Sequence, residues 1–313
     1  MLSDASKKKR AGGIGASEVA ALVDEDEHRG PVDLWMSKVG LTEWQETDAM
    51  VAGQELESAI GRIYCRMTGA RLHSGGGTLR HPKHPWVVAT IDRRATGGPV
   101  SVVEIKNVGA WQMHAWKHEP PLSKRLQVMW QLEVVGEDVG HIVALLGGTS
   151  PRIFVVERDR ELIGDLIEIA DEFWHDRVLA ARRARDAGDE DWARFAPEHN
   201  GHEAVRIVEA LYPESDGRML EPSPDAHAAW RALVAAEQAE KDAGAARARA
   251  EAAAKELIGD ADGIEGLFTW KTDAAGRVAW ARVAKELNPP HELIAKHTSP
   301  PARRFLKKGS KES

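Results

Sequence analysis

An acid and a base stand two residues apart in an otherwise apolar run, Val102-Val103-Glu104-Ile105-Lys106. On a strand, side chains alternate faces, so Val102, Glu104 and Lys106 share one face and Val103 and Ile105 the other. Asp92 ends the preceding apolar run, Trp86 to Ile91, across a turn that holds Gly97-Gly98-Pro99. A hairpin of the two runs brings Asp92 close to Glu104. Two carboxylates and the Ile105 carbonyl make a hard oxygen site suited to Mg2+, or to Mn2+. Lys106 then lies beside a metal-bound water, which it can orient and favour as hydroxide, with the attacking and leaving oxygens of a phosphate stabilised by the metal. A plainer reading stays open. An acid and a lysine at this spacing also make an ordinary exposed ladder, and aspartate is common near turns.

Three further features bear on that site. Glu57 lies beside the apolar stripe of a helix carrying Leu56, Ile60, Ile63, Tyr64 and Met67, where a carboxylate needs a partner, a metal or a route to solvent. Gly12-Gly13-Ile14-Gly15 precedes a helical stretch from Ala16 to Val23. Glycines there let backbone N–H groups approach an anion, with Ser17 as a cap or a phosphate ligand and Arg10 as a charged fork. The same glycines also suit a plain N-cap. His114 and His118 are four apart, a metal-pair spacing without an evident third ligand. Trp111 and Trp116 flank them as core residues or as platforms for an unpaired base. Lys117, Lys124, Arg125, Arg93 and Arg94 are candidate phosphate contacts, and Cys65 reads as a buried thiol.

The elements that must position these residues follow from periodicity and punctuation. The pattern predicts a helix over 47–68, strands over 86–91 and 100–106, and helical residues over 110–135. Strands over 141–146 and 152–157 and a helix over 162–186 come next. This is an α/β order, a mixed sheet flanked by helices, over residues 1–195. A linker over 196–222 leads to a third region, 223–313. There an Ala-, Glu-, Lys- and Arg-rich helix over 223–258 ends at Gly259, and a small hairpin pairs 268–271 with 277–280. A basic tail closes the chain.

Composition sets limits. The 313 residues carry a net charge of -7, so any contact with nucleic acid comes from local patches. Three are visible: Lys7 to Arg10, Arg182 to Arg185, and the tail with Arg303, Arg304, Lys307, Lys308 and Lys311. One cysteine excludes an internal disulfide and a cysteine-ligated iron–sulfur cluster. No run is long and apolar enough for a membrane span, and the polar, basic opening is unlike a secretory signal, so a cytoplasmic protein is expected.

With these residues gathered, the sequence resembles the YqaJ-type viral recombinase family, the lambda-exonuclease-like group of the PD-(D/E)xK nucleases. The likeness covers roughly residues 10 to 180 and rests on Gly15-Ala16-Ser17-Glu18, Gly53-Gln54-Glu55-Leu56-Glu57, and His81-Pro82-Lys83-His84-Pro85-Trp86 followed by Ala89-Thr90-Ile91-Asp92. Glu104-Ile105-Lys106, Gln127-Val128-Met129 and Phe173-Trp174 follow in the family's order. Ile91 stands where proline commonly precedes the metal aspartate, and Ser123-Lys124-Arg125-Leu126 stands where aromatic residues are common.

The resemblance implies a restriction-endonuclease-like core and roles residue by residue. Asp92, Glu104 and the Ile105 carbonyl bind metal, Lys106 serves the water, Glu57 supports the site and Gln127 positions the water or the lysine. Arg10, Ser17 and Thr90 form a 5′-phosphate pocket. The implied activity is Mg2+-dependent 5′-to-3′ exonuclease digestion of double-stranded DNA ends for phage-type recombination, in a phage- or prophage-encoded protein of a bacterial host. The implied partners are a single-strand annealing protein and further copies of the chain, with a trimeric ring as one form. The alternatives are an endonuclease or single-strand nuclease of the same fold, and a non-catalytic DNA-binding assembly protein.

Overall fold

The computed structural model describes residues 11–43, 47–272, 287 and 289–297. The chain divides into two compact units, Met1–Tyr212 and Pro213–Ser313.

The first unit opens with β1 (Ile14–Gly15) and a 3-10 turn at Val19–Val23, then α1 (Pro31–Val39) and α2 (Asp48–Thr68). Strands β2 (Arg71–Ser74), β3 (Thr78–Arg80), β4 (Val87–Thr90), β5 (Arg93–Thr96) and β6 (Val102–Val108) follow. A 3-10 stretch, Ala110–Trp116, leads to α3 (Leu122–Val135), β7 (Val139–Leu146), β8 (Ser150–Glu157) and α4 (Arg160–Glu172). The helix continues through wider π-type turns at Phe173–Leu179 into α5 (Ala180–Asp186), and α6 (Gly201–Leu211) closes the unit.

The strands form two sheets, β2-β5-β6-β7-β8 and β1-β4-β3. Strand β6 pairs antiparallel with β5 and parallel with β7. A parallel neighbour needs a crossover, and α3 supplies it. The expected alternation along β6 holds. Val103 and Ile105 pack with Ile60 and Tyr64 of α2 on one face. Val102 and Val108 pack with Val128 and Leu132 of α3 on the other. A third cluster joins α1, α3 and α4 around the fully buried Trp35 and Trp130. Two buried ring tips in this interior find partners, as burial favours. The Trp130 indole donates to the Val88 carbonyl at 3.2 Å, and the Tyr64 hydroxyl lies 3.0 Å from His141 Nδ1.

Several sequence expectations change in detail. The run 86–91 does not pair with 100–106. Its strand β4 lies in the smaller sheet between β1 and β3, and β5 makes the hairpin with β6. Asp92 therefore sits between β4 and β5, where the chain passes from one sheet to the other. On α2, Leu56 and Met67 are exposed, and the inward stripe is Ile60, Gly61 and Tyr64. Glu57 stands one turn ahead of that stripe rather than beside it. The stretch over 110–135 is broken, because Pro120 and Pro121 separate the 3-10 residues from α3. The segment expected as a linker contains α6, capped by Asn200 and anchored by the buried Ile207.

In the second unit, Ser223 caps α7 (Pro224–Ile258), its side chain accepting from the Ala226 N–H, with proline in the first turn. The helix has 35 residues, about 52 Å of length at 1.5 Å per residue. Most of its side chains are exposed, with Ile258 buried at its end. Strand β9 (Gly263–Ile264) pairs with β10 (Phe268–Thr269), and α8 (His291–Lys296) follows. The second strand of the expected hairpin, residues 277–280, lies outside the described residues, as do the Lys7–Arg10 patch and the basic tail. Among the described residues no helix is long and apolar enough to cross a membrane.

Candidate active site

The β5–β6 register sets Arg93 opposite Val103 and Arg94 opposite Val102. Extended by one residue, it puts Asp92 level with Glu104. Strand β5 begins only at Arg93, so β6 loses its neighbour on that edge just past Val103. Asp92 takes the place of the missing strand: its Oδ2 accepts the Ile105 N–H at 2.8 Å. The N–H and C=O of one strand residue point to the same edge, so the Ile105 carbonyl is turned toward Asp92 as well.

Glu104 is 1% exposed and accepts three hydrogen bonds. Lys106 Nζ and Gln127 Nε2 donate to its Oε1 at 2.6 and 2.5 Å, and Gln131 Nε2 donates to its Oε2 at 2.7 Å. Gln127 also accepts from Lys106 at 3.2 Å through its Oε1, so one amide orders both members of the Glu104–Lys106 pair. Gln131 was not singled out in the sequence. The available signal was its position four residues after Gln127, on the same face of α3. Its Nε2 also donates to the Thr90 carbonyl at 3.0 Å.

The electrostatics follow from this crowding. Burial, and then the neighbouring Glu104, push the Asp92 carboxyl well above the usual carboxylate range. Burial works against the Lys106 charge, but Glu104 and Asp92 outweigh it and hold its pKa above the ordinary lysine value. Lys106 thus presents N–H donors and positive charge beside the two carboxylates. Glu57 adds to both effects from α2, where Arg93 Nη1 meets its Oε1 at 2.5 Å. Lys124 lies one turn before Gln127 on α3. Burial and the nearby Lys106 lower its pKa, and its ammonium has no hydrogen bond or ion pair among the described residues.

Two crowded carboxylates, Glu104 buried and Asp92 partly so, with the Lys106 ammonium on Glu104, fit a divalent cation by their chemistry. Mg2+ is commonly held by one or two carboxylates and keeps several waters. Among the described residues no three His, Cys, Asp or Glu side chains are grouped for a metal. A cation here would rest on Asp92, Glu104 and the Ile105 carbonyl, with Glu57 held back by Arg93.

The remaining expectations divide. Strand β1 runs parallel to β4, with Gly15 opposite Val88, so the turn holding Ser17 lies toward the Thr90 end of β4. Thr90 Oγ1 is 3.0 Å from Thr78 Oγ1. Arg10 lies outside the described residues. The glycines before Ser17 do not form an open anion cradle. The Gly15 N–H donates to Glu18 Oε2 at 2.7 Å, and buried Lys38 bridges Glu18 and the Gly13 carbonyl. Gly13 serves close approach instead, since a Cβ there would sit 2.0 Å from the Trp86 carbonyl oxygen. His114 and His118 do not share a helix, because the 3-10 stretch ends at Trp116. Trp116 is core and stacks at a tilt on Phe154, whereas Trp111 is 73% exposed. Cys65 is half-buried.

Residues 7–138 match the sequence model of the YqaJ-like viral recombinase domain. The chain is 28% identical over 179 residues to the uncharacterized protein YqaJ of Bacillus subtilis (strain 168), a match over 56% of this chain. It spans 56% of that relative's length. Among solved structures, the alkaline exonuclease LHK-Exo from Laribacter hongkongensis superposes with a TM-score of 0.51 at 21% identity, covering 60% of this chain and 99% of that one. The shared fold is the mixed α/β arrangement read from the sequence.

Proposed function

We propose, with the YqaJ-like viral recombinase domain over residues 7–138 as the premise, that this chain is a metal-dependent nuclease that digests double-stranded DNA from its ends in the 5′-to-3′ direction. The observation that carries the reading is the convergence of Asp92, Glu104, Lys106 and Gln127 at the edge of β6. The fold it shares with an alkaline exonuclease supports the same reading.

Asp92, Glu104 and the Ile105 carbonyl would hold the cation, which when bound supplies positive charge to the phosphate oxygens and acidifies a coordinated water. Lys106, fixed by Glu104 and Gln127, directs an N–H toward the attacking oxygen and offsets negative charge as the new P–O bond forms and the bridging P–O bond breaks. Gln127 keeps the lysine from swinging away. Glu57 limits the freedom of Arg93, which also donates to the Asp92 carbonyl at 2.8 Å. Ser17, Thr90 and Arg10 are the residues we assign to the 5′-phosphate, and end dependence would follow from that contact. The cation would be Mg2+, with Mn2+ as a substitute. A role in resection with an annealing protein and self-association into a ring belong to the same proposal.

Digestion of matched linear and closed circular duplexes, with 5′-phosphate or 5′-hydroxyl ends and with Mg2+ or EDTA, tests the reading. Mononucleotide release from the linear 5′-phosphorylated duplex alone, abolished by EDTA, is the expected result. Cutting of the circle would instead assign an endonuclease, and preference for single strands would assign the other variant of this fold.

A further inference from the structure

Gln131 has no part in the roles assigned above, yet its environment is unusual. It is 0% exposed and joins two strands of different sheets. One N–H of its amide reaches the Thr90 carbonyl at the end of β4, and the other reaches Glu104 Oε2 on β6. Both contacts are acceptors, so the amide cannot be flipped, and its orientation is fixed. The remaining atom, Oε1, is buried and has no hydrogen-bond partner among the described residues.

These contacts bear on the distance between the two carboxylates. Asp92 follows Thr90 by two residues, and the tie from Gln131 to the Thr90 carbonyl fixes where that segment leaves β4. The tie to Oε2 fixes the rotation of the Glu104 carboxylate, whose Oε1 is already turned to Lys106 and Gln127. The two acids repel one another, so without a brace they would separate.

We propose that Gln131 is a positioning residue that sets the spacing of Asp92 and Glu104 for a divalent cation. The inference rests on the nuclease reading and extends it to a residue that touches neither DNA nor the reacting atoms. Partners behind metal ligands commonly govern affinity by 10–100-fold, roughly, when removed.

Calorimetric titration of Mn2+ into the metal-free full chain is the test, with wild type, Gln131→Met and Gln131→Asn. Methionine keeps the length and loses both hydrogen bonds; asparagine keeps the amide but is too short to span both partners. The expected result is about a tenfold or greater loss of Mn2+ affinity in both variants. A fall in kcat with little change in KM for a linear duplex should accompany it. Leu132→Met, a buried change on the same helix away from the amide, should leave the affinity unchanged. If Gln131→Met does not fold, Gln131→Asn decides alone. Wild-type affinity in Gln131→Met or Gln131→Asn would overturn the inference while leaving the nuclease reading intact. A wild type that neither binds Mn2+ nor cuts DNA would overturn the nuclease reading itself.

Discussion

Asp92 is joined to β6 through its side chain: Oδ2 accepts the Ile105 N–H at 2.8 Å where the neighbouring strand has ended. A carboxylate in that place satisfies a backbone donor on the strand edge and keeps Asp92 within the electrostatic reach of Glu104. The same contact gives the site a cost, because Asp92 and Glu104 are crowded in a half-buried place.

That cost is measurable. Asp92→Asn keeps an acceptor for the Ile105 N–H and removes a charge. A carboxyl whose folded pKa is raised adds stability at low pH that is lost as pH rises through the folded value. At neutral pH the metal-free wild type therefore carries a strain that the asparagine relieves. Thermal unfolding in EDTA should show Asp92→Asn more stable by about 1 kcal/mol, roughly 2–4 °C in Tm, with nuclease activity lost. Mg2+ should raise the Tm of wild type and not of the variant. A variant less stable than wild type in EDTA would argue against the crowding.

Gly75 tests the path of the chain into Asp92. A Cβ at that position would lie 1.7 Å from the Ile91 carbonyl oxygen, so the backbone just before Asp92 must move in Gly75→Ala. We expect a loss of about 1–3 kcal/mol in stability, the range for overpacking, and a larger fractional loss of activity than of folded protein. Urea unfolding beside a hydrolysis assay reads both. Unchanged values would mean that the segment yields easily.

Lys124 is expected to hold a phosphate of the DNA strand. Its ammonium is partly desolvated, close to Lys106, and has no ion pair among the described residues. In Lys124→Ala the KM for duplex DNA should rise, with kcat reduced less, and the slope of log affinity against log salt should fall by about 1. A salt slope equal to wild type would place Lys124 outside the DNA track.

Two buried histidines set a stability limit in acid. The His81 Nδ1 accepts the Lys83 and His84 N–H groups at 3.3 and 3.1 Å, so protonating it breaks both bonds. Burial lowers the pKa of His81, the nearby Glu133 notwithstanding, and burial lowers that of His141. The unfolded chain binds these protons near 6.5 and the folded chain does so only at lower pH. Stability is therefore full above the unfolded value and declines as pH falls toward the folded values. In the Asp92→Asn background, which removes the opposing titration of that carboxyl, Tm measured between about pH 7.5 and about pH 5 should decline, and adding His81→Asn should flatten part of the decline. A flat profile in that background would contradict the assignment.

Much of the site was legible because local pattern decides it. The alternation in 102–106 correctly separated Glu104 and Lys106 from Val103 and Ile105, since β6 is covered by helices on both faces. The helix carrying Glu57 and the one carrying Gln127 were likewise visible from spacing. Less legible was anything set by tertiary pairing. Nothing local distinguishes a β4–β6 hairpin from the actual β5–β6 one, because β5 is four residues long and reads as part of the turn. Gln131 escaped notice because its partners, Thr90 and Glu104, are far away in sequence. The glycines at 12–15 fit an anion cradle by composition, and only the fold reveals that Glu18 already occupies the Gly15 N–H.

The most direct test of the central claim is the rate at which Lys106→Ala releases nucleotides from a linear 5′-phosphorylated duplex in Mg2+. Lys106 is fixed by Glu104 and Gln127 beside the proposed metal site, so its removal should cost about 10²–10³ in kcat while the protein stays folded. A folded Lys106→Ala protein that digests DNA at the wild-type rate would contradict the account.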